Sequence, residues 1–107
     1  MDFKIQNVEQ SELGSDIIRD LSELIKGFNG GVELKFDKKS DPNTKGELLL
    51  TIVIGLGTSI TGALIYDLLK TVVNRHLPRK DFNRKLHIKI EEPESKIEIT
   101  LEEILKK

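Results

Sequence analysis

Nineteen consecutive residues, Leu48 to Tyr66, carry no charge, and no other feature constrains the fold as much. As one helix rising ~1.5 Å per residue, the run comes close to the ~30 Å hydrocarbon thickness of a bilayer. Gly55, Gly57, Gly62 and Ala63 would give such a helix a smooth face for close packing, and Lys70, Arg75, Arg79 and Lys80 follow as a basic flank. Beyond Gly62 the pattern turns amphipathic. Ile65, Leu68, Leu69, Val72 and Val73 share one helical face, while Asp67, Lys70, Asn74 and Arg75 share the other. A stripe of that kind suits a protein core.

The flanking residues also favour a protein environment. Phe3 and Ile5 alternate with polar neighbours, as a half-buried strand does. Leu13, Ile17, Ile18, Leu21, Leu24 and Ile25 recur at helical spacing, with Ser11 as N-cap and Gly27 as stop. Val32, Leu34 and Phe36 alternate with Glu33 and Lys35, completing a β-α-β unit over residues 1–36. A polar loop follows over 37–46. Near the other end, Leu86, Ile88 and Ile90, then Ile97, Ile99 and Leu101, predict a hairpin over 84–101 turning at Glu92 to Ser95. Thr100 and Glu103 have capping-box spacing for a last turn over 101–107. A hairpin alone is marginal in water, so both halves are expected to share one sheet.

The predicted architecture is therefore one α+β domain ordered β-α-β-α-β-β, with about four strands and a long apolar helix over 47–77 packed on them. An alternative makes 48–66 a transmembrane helix of a small membrane-inserting effector, associated with the inner membrane. A third reading breaks the run into a buried strand over 48–54, a Gly55-Leu56-Gly57 turn and a helix from Thr58. Gly55, Gly57 and Gly62 miss the dinucleotide-binding spacing, and no P-loop lysine follows, so they are read as close-packing positions.

A chain of 107 residues has room for a single core. A net charge of −1 argues against coating nucleic acid, and Phe82 alone stands near the basic stretch to stack on a base. Cysteine is absent, which fits a cytoplasmic setting, and Met1-Asp2-Phe3-Lys4-Ile5 lacks the form of a secretory signal. The two histidines, His76 and His87, have no partners at triad or zinc spacing. No catalysis, metal or cofactor is expected, and both are read as solvated surface histidines. Seven basic residues stand against one acid, Asp81, between Lys70 and Lys89. Lys70, Arg75, Arg79 and Lys80 are thus candidate contacts for an anion or lipid headgroup, with a solvated face the favoured reading.

Thirty helical residues reach ~45 Å, whereas six-residue strands reach ~20 Å. The apolar half of the helix would project and meet another protein or another copy of the chain. Leu48, Ile52, Gly55, Thr58, Ser59 and Gly62 are the residues expected to make that contact.

The order of elements, the Gly46-Glu47 loop end and the stretch from Ile54 to Leu64 resemble the bacterial effector-associated constant component family. The basic helix end and the final hairpin extend the resemblance over most of the chain. That family's stretch is typically richer in glycine and its helix often carries a tryptophan, which this chain lacks. The resemblance implies a non-catalytic adaptor in a bacterial conflict or anti-phage defence system, and it brings no catalytic residues.

Overall fold

Alternation in the strands and the stripe of the first helix converge on one buried layer. A computed structural model describes residues 2–9, 11–27, 31–39, 47–55 and 60–106, with side chains of 37–39, 47 and 48 left aside. The elements are β1 (Asp2–Gln6), α1 (Glu12–Lys26), β2 (Val32–Lys39), β3 (Glu47–Ile54), α2 (Gly62–His76), β4 (His87–Glu92), β5 (Ser95–Thr100) and α3 (Leu101–Lys106). Five strands form one sheet in the order β2-β3-β1-β4-β5, and every neighbouring pair is antiparallel. β1 and β2 run the same way with β3 between them, and β3 and β4 run the same way with β1 between them. Two interleaved split β-α-β units of this kind make the ferredoxin-like arrangement, here extended by β5 and α3.

One face of the sheet carries the core. Phe3, Ile5, Leu50, Ile52, Ile88, Ile90 and Ile99 pack there against Leu13, Ile17, Ile18 and Leu21 of α1, Ile65, Leu69 and Val72 of α2, and Leu101 and Ile104 of α3. The caps fall where the residues place them. Ser11 Oγ accepts from Gly14 N at 2.9 Å, Gly27 closes α1, and Thr100 Oγ1 accepts from Glu103 N at 3.2 Å.

The uncharged run is not the single helix expected over 47–77. Its first part is β3 and its last part opens α2, so the sheet gains a fifth strand and the order a strand before the second helix. Two local causes decide this. Thr51-Ile52-Val53-Ile54 is a β-branched run, stiff in χ1 and suited to a pleated surface. Thr61 is a strong N-cap whose Oγ1 accepts from Leu64 N at 3.2 Å, so helix begins at Gly62 and not earlier. Charge is absent from β3 because it lies between β1 and β2: Leu50, Ile52 and Ile54 are buried beneath the helices, and Leu49, Thr51 and Val53 are half-buried on the other face. No helix among the described residues is long and apolar enough to cross a membrane, so the alternative of a span at 48–66 has no helix to carry it.

Gly55 and Gly31 serve strand contact, and Gly57 lies outside the described residues. Gly55 N donates to Gly31 O at 2.7 Å, and a Cβ at Gly55 would sit 3.1 Å from that oxygen. Gly31 itself has φ of 81°, the left-handed region that favours glycine. At Gly62 a Cβ would meet Phe3 Cε2 at 3.4 Å, an ordinary contact, so no helix-packing face requires it.

Candidate interaction surface

The sheet ends at β2 on one side and at β5 on the other. β2 is eight residues long and pairs with β3 from Val32↔Ile54 to Lys39↔Glu47. The Gly55–Gly31 bond fixes the phase of that ladder. In an antiparallel pair the residues alternate between bonding their partner and turning outward. Odd-numbered residues therefore bond to β3, and Val32, Leu34 and Phe36 turn their N–H and C=O toward the open edge.

Side chains along this edge are incompletely covered. On β3 the row facing the helices is buried, but on β2 Val32 and Leu34 are only half-buried. Phe36 is 43% exposed, the one exposed large hydrophobic side chain among the described residues. The cause is the placement of α1, which packs chiefly against β3 and covers β2 only in part. Between the C-terminal end of α1 and β2 lies a groove of ≈ 380 Å³ lined by Ile25, Lys26, Val32, Glu33 and Leu34. On the opposite face of the strand Lys35 and Glu33 stand 3.9 Å apart, both well exposed.

A second cluster ties α1 to the end of α2. Arg79 donates to Asp16 at 2.8 Å and, in a two-pronged contact, to Asp81 at 2.8 and 2.7 Å. His76 Nε2 lies 2.5 Å from Asp20 Oδ2, and His76 Nδ1 lies 3.2 Å from Arg79 Nη1. A guanidinium only donates, so Nδ1 accepts and the ring proton sits on Nε2, facing Asp20. The Asp81 and Asp16 carboxylates hold the Arg79 guanidinium above its usual range, and Arg79 holds the Asp81 carboxyl below its own. Every partner comes from within the chain, which makes this a clamp between elements. His76 is correspondingly not the solvated histidine expected, since its side chain is only 13% exposed. His87 does lie on the outer face, 3.0 Å from Glu9.

Tyr66 marks the other end of α2. Its ring meets Phe3 edge-on at 5.9 Å, and burial, with the Glu92 carboxylate beside it, pushes the phenol up to about 12. Among the described residues no group of three or more His, Asp or Glu side chains is arranged to hold a metal ion.

The residues expected to contact a partner are described in part. Ile52 is fully buried beneath its own helices, which removes it from any interface. Leu48 pairs with Lys38 in the sheet, Gly55 follows β3, and Gly62 opens α2. Thr58 and Ser59 lie outside the described residues. Of the expected anion contacts, Arg79 belongs to the clamp, Lys70 is half-buried on α2, and Arg75 and Lys80 are exposed. The edge residues Val32, Leu34 and Phe36 were legible as a strand but not as an edge. Only the insertion of β3 between β1 and β2 puts them there, and an alternating pattern carries no sign of sheet order. No protein-family model, curated protein or solved structure matches the chain.

Proposed function

We propose that the chain is a non-catalytic interaction module that binds a protein partner by strand addition along β2. One observation carries this reading: Phe36, large and 43% exposed, stands on an edge strand whose outward N–H and C=O groups no described strand pairs. Such an edge gives affinity through main-chain hydrogen bonds and specificity through alternate side chains. The adaptor role implied by the resemblance to effector-associated constant components fits a module of this kind, linking a sensor or protease component to an effector.

A photocrosslinking residue placed at Phe36, with a control at Glu98 on β5, tests the proposal in cells. Crosslinked adducts are expected at position 36 and not at 98, and Leu34→Pro should abolish them. The Leu34 N–H faces the open edge, so proline there removes an outward donor without breaking a bond to β3. Adducts that survive Leu34→Pro, or that form equally at position 98, would show that the edge is not the binding element.

A further inference from the structure

The β2 edge carries both halves of a self-complementary contact. Phe36 projects on the helix-bearing face, and on the same face the groove lined by Ile25, Val32 and Leu34 opens beside Val32. The protruding side chain and the groove stand four residues apart along one strand, with Leu34 midway. A two-fold axis through Leu34, perpendicular to the sheet, would carry Phe36 of one copy opposite Val32 of the other, and the reverse, as a closed two-fold interface requires.

Building on the β2-edge reading, we propose that the strand received there is β2 of a second copy of this chain, antiparallel and centred on Leu34. The three outward-turned residues then meet in hydrogen-bonded pairs, Leu34 with Leu34 and Val32 with Phe36, and Phe36 enters the groove of the other copy. On the opposite face Glu33 of each copy falls directly across from Lys35 of the other, giving two opposite-charge pairs in place of the loose 3.9 Å contact within one strand. Charge excludes centring on Lys35, and packing excludes centring on Phe36, where Lys35 would face Asp37 and Glu33 would face Lys39. Centring on Lys35 would set Lys35 against its own copy and Glu33 opposite Asp37, like charges at close range. Centring on Phe36 would set Leu34 opposite the Lys38 position and leave the groove empty. A strand-edge contact is small beside the ~1,200–2,000 Å² of standard interfaces, so a concentration-dependent monomer–dimer equilibrium is expected.

Sedimentation equilibrium of purified chain carrying Glu33→Lys, of chain carrying Lys35→Glu, and of their 1:1 mixture tests this register. Each variant alone places like charges across the axis and should weaken dimerisation about tenfold. In the mixture a lysine at 33 meets a glutamate at 35 and a glutamate at 33 meets a lysine at 35, so dimer should return as the mixed species. In no other antiparallel register of β2 do both variants weaken the dimer and the mixture restore it. A wild-type chain that stays monomeric at millimolar concentration, or a mixture that stays as weak as its components, overturns the second copy as the occupant. In that event, crosslinks from position 36 to a different protein would leave strand addition standing, whereas their absence as well would remove both.

Discussion

β2 and β5 close the same sheet, alternate in the same way, and end in opposite conditions. β5 spans six residues, turns tightly out of β4 at Pro93-Glu94, and runs without a break into α3. Leu101 N donates to Leu86 O and Glu102 N to Arg84 O, both at 3.0 Å, and Leu101 and Ile104 bury beneath α2 and β5. Its inward Ile99 is 3% exposed, and Lys96 and Glu98 face solvent, a short charged edge that discourages further pairing. β2 is longer and only partly covered by α1, with Phe36 at 43% exposure. Edge position alone therefore does not leave a strand open to further pairing. Among the described residues, what separates the two is that α3 follows β5 at once and packs on it, burying Leu101 and Ile104, while Phe36 of β2 stays exposed.

The sharpest way to break this comparison is to truncate the same kind of side chain on each edge. Ile99→Ala should cost about 2–5 kcal/mol in urea unfolding, as buried aliphatic truncations do. Phe36→Ala should cost less than about 1 kcal/mol in the dilute monomer, near the range of surface substitutions. Equal losses would mean that β2 is sealed as well as β5.

The next effect tests how α1 is held. At its N-terminal end Asn7, fully buried, donates to Ser11 O at 2.8 Å and Ser15 Oγ at 3.0 Å, and a Cβ on Gly14 would fall 2.4 Å from Asn7 Oδ1. Gly14→Ala should destabilise by about 1–3 kcal/mol, because buried side chain and helix backbone must separate. Fixed there, α1 leaves Ile25 and Lys26 beside the groove at its other end. A neutral Gly14→Ala would show that α1 can shift, and with it the cover over β2.

Much of this layout was legible in the residues, and the failures share one cause. Helix α1, its caps and the β4–β5 hairpin depend on neighbours in the chain: a 3.6-residue stripe, Ser11, Gly27, and a short turn between alternating runs. The uncharged run did not yield because its neutrality has two separate sources. In β3 it reflects burial between two strands; at the start of α2 it reflects packing near Phe3. Length favours one helix over the reading that splits the run after Ile54, although Thr51-Ile52-Val53-Ile54 and Thr61 carry the local signals that divide it. The edge and its groove were beyond reach, since Phe36 looks like any inward strand residue until β3 is known to intervene.

A smaller effect concerns the clamp on the closed side. Arg79→Gln should lower the melting temperature by about 2–5 °C at neutral pH and low salt, and less at high salt, because its ion pairs are partly exposed. Asp81 fixes the sign of the pH dependence. Its folded carboxyl titrates below the unfolded one, so its contribution is present above the ordinary carboxylate range and is lost as pH falls through the depressed value. The gap between wild type and Arg79→Gln should therefore narrow on acidification. A gap that widens would assign the stabilising role to other contacts.

The smallest effect lies at alkaline pH, where the chain's one tyrosine makes the measurement specific. The phenol of Tyr66 is pushed up to about 12 from 10.0, by burial first and by Glu92 second. Between these values the unfolded chain has lost the proton that the folded chain still holds, so stability falls as pH rises through the window. Tyr66→Phe has no proton to lose there, and its stability should fall less steeply than that of wild type. Tyrosinate absorbance reads the same event directly, with a midpoint near 12 expected when folded and near 10 in denaturant. A folded midpoint near 10 would mean that the Phe3–Tyr66–Glu92 corner is as wet as the β2 edge, and the contrast between closed and open sides would then be confined to β5 and α3.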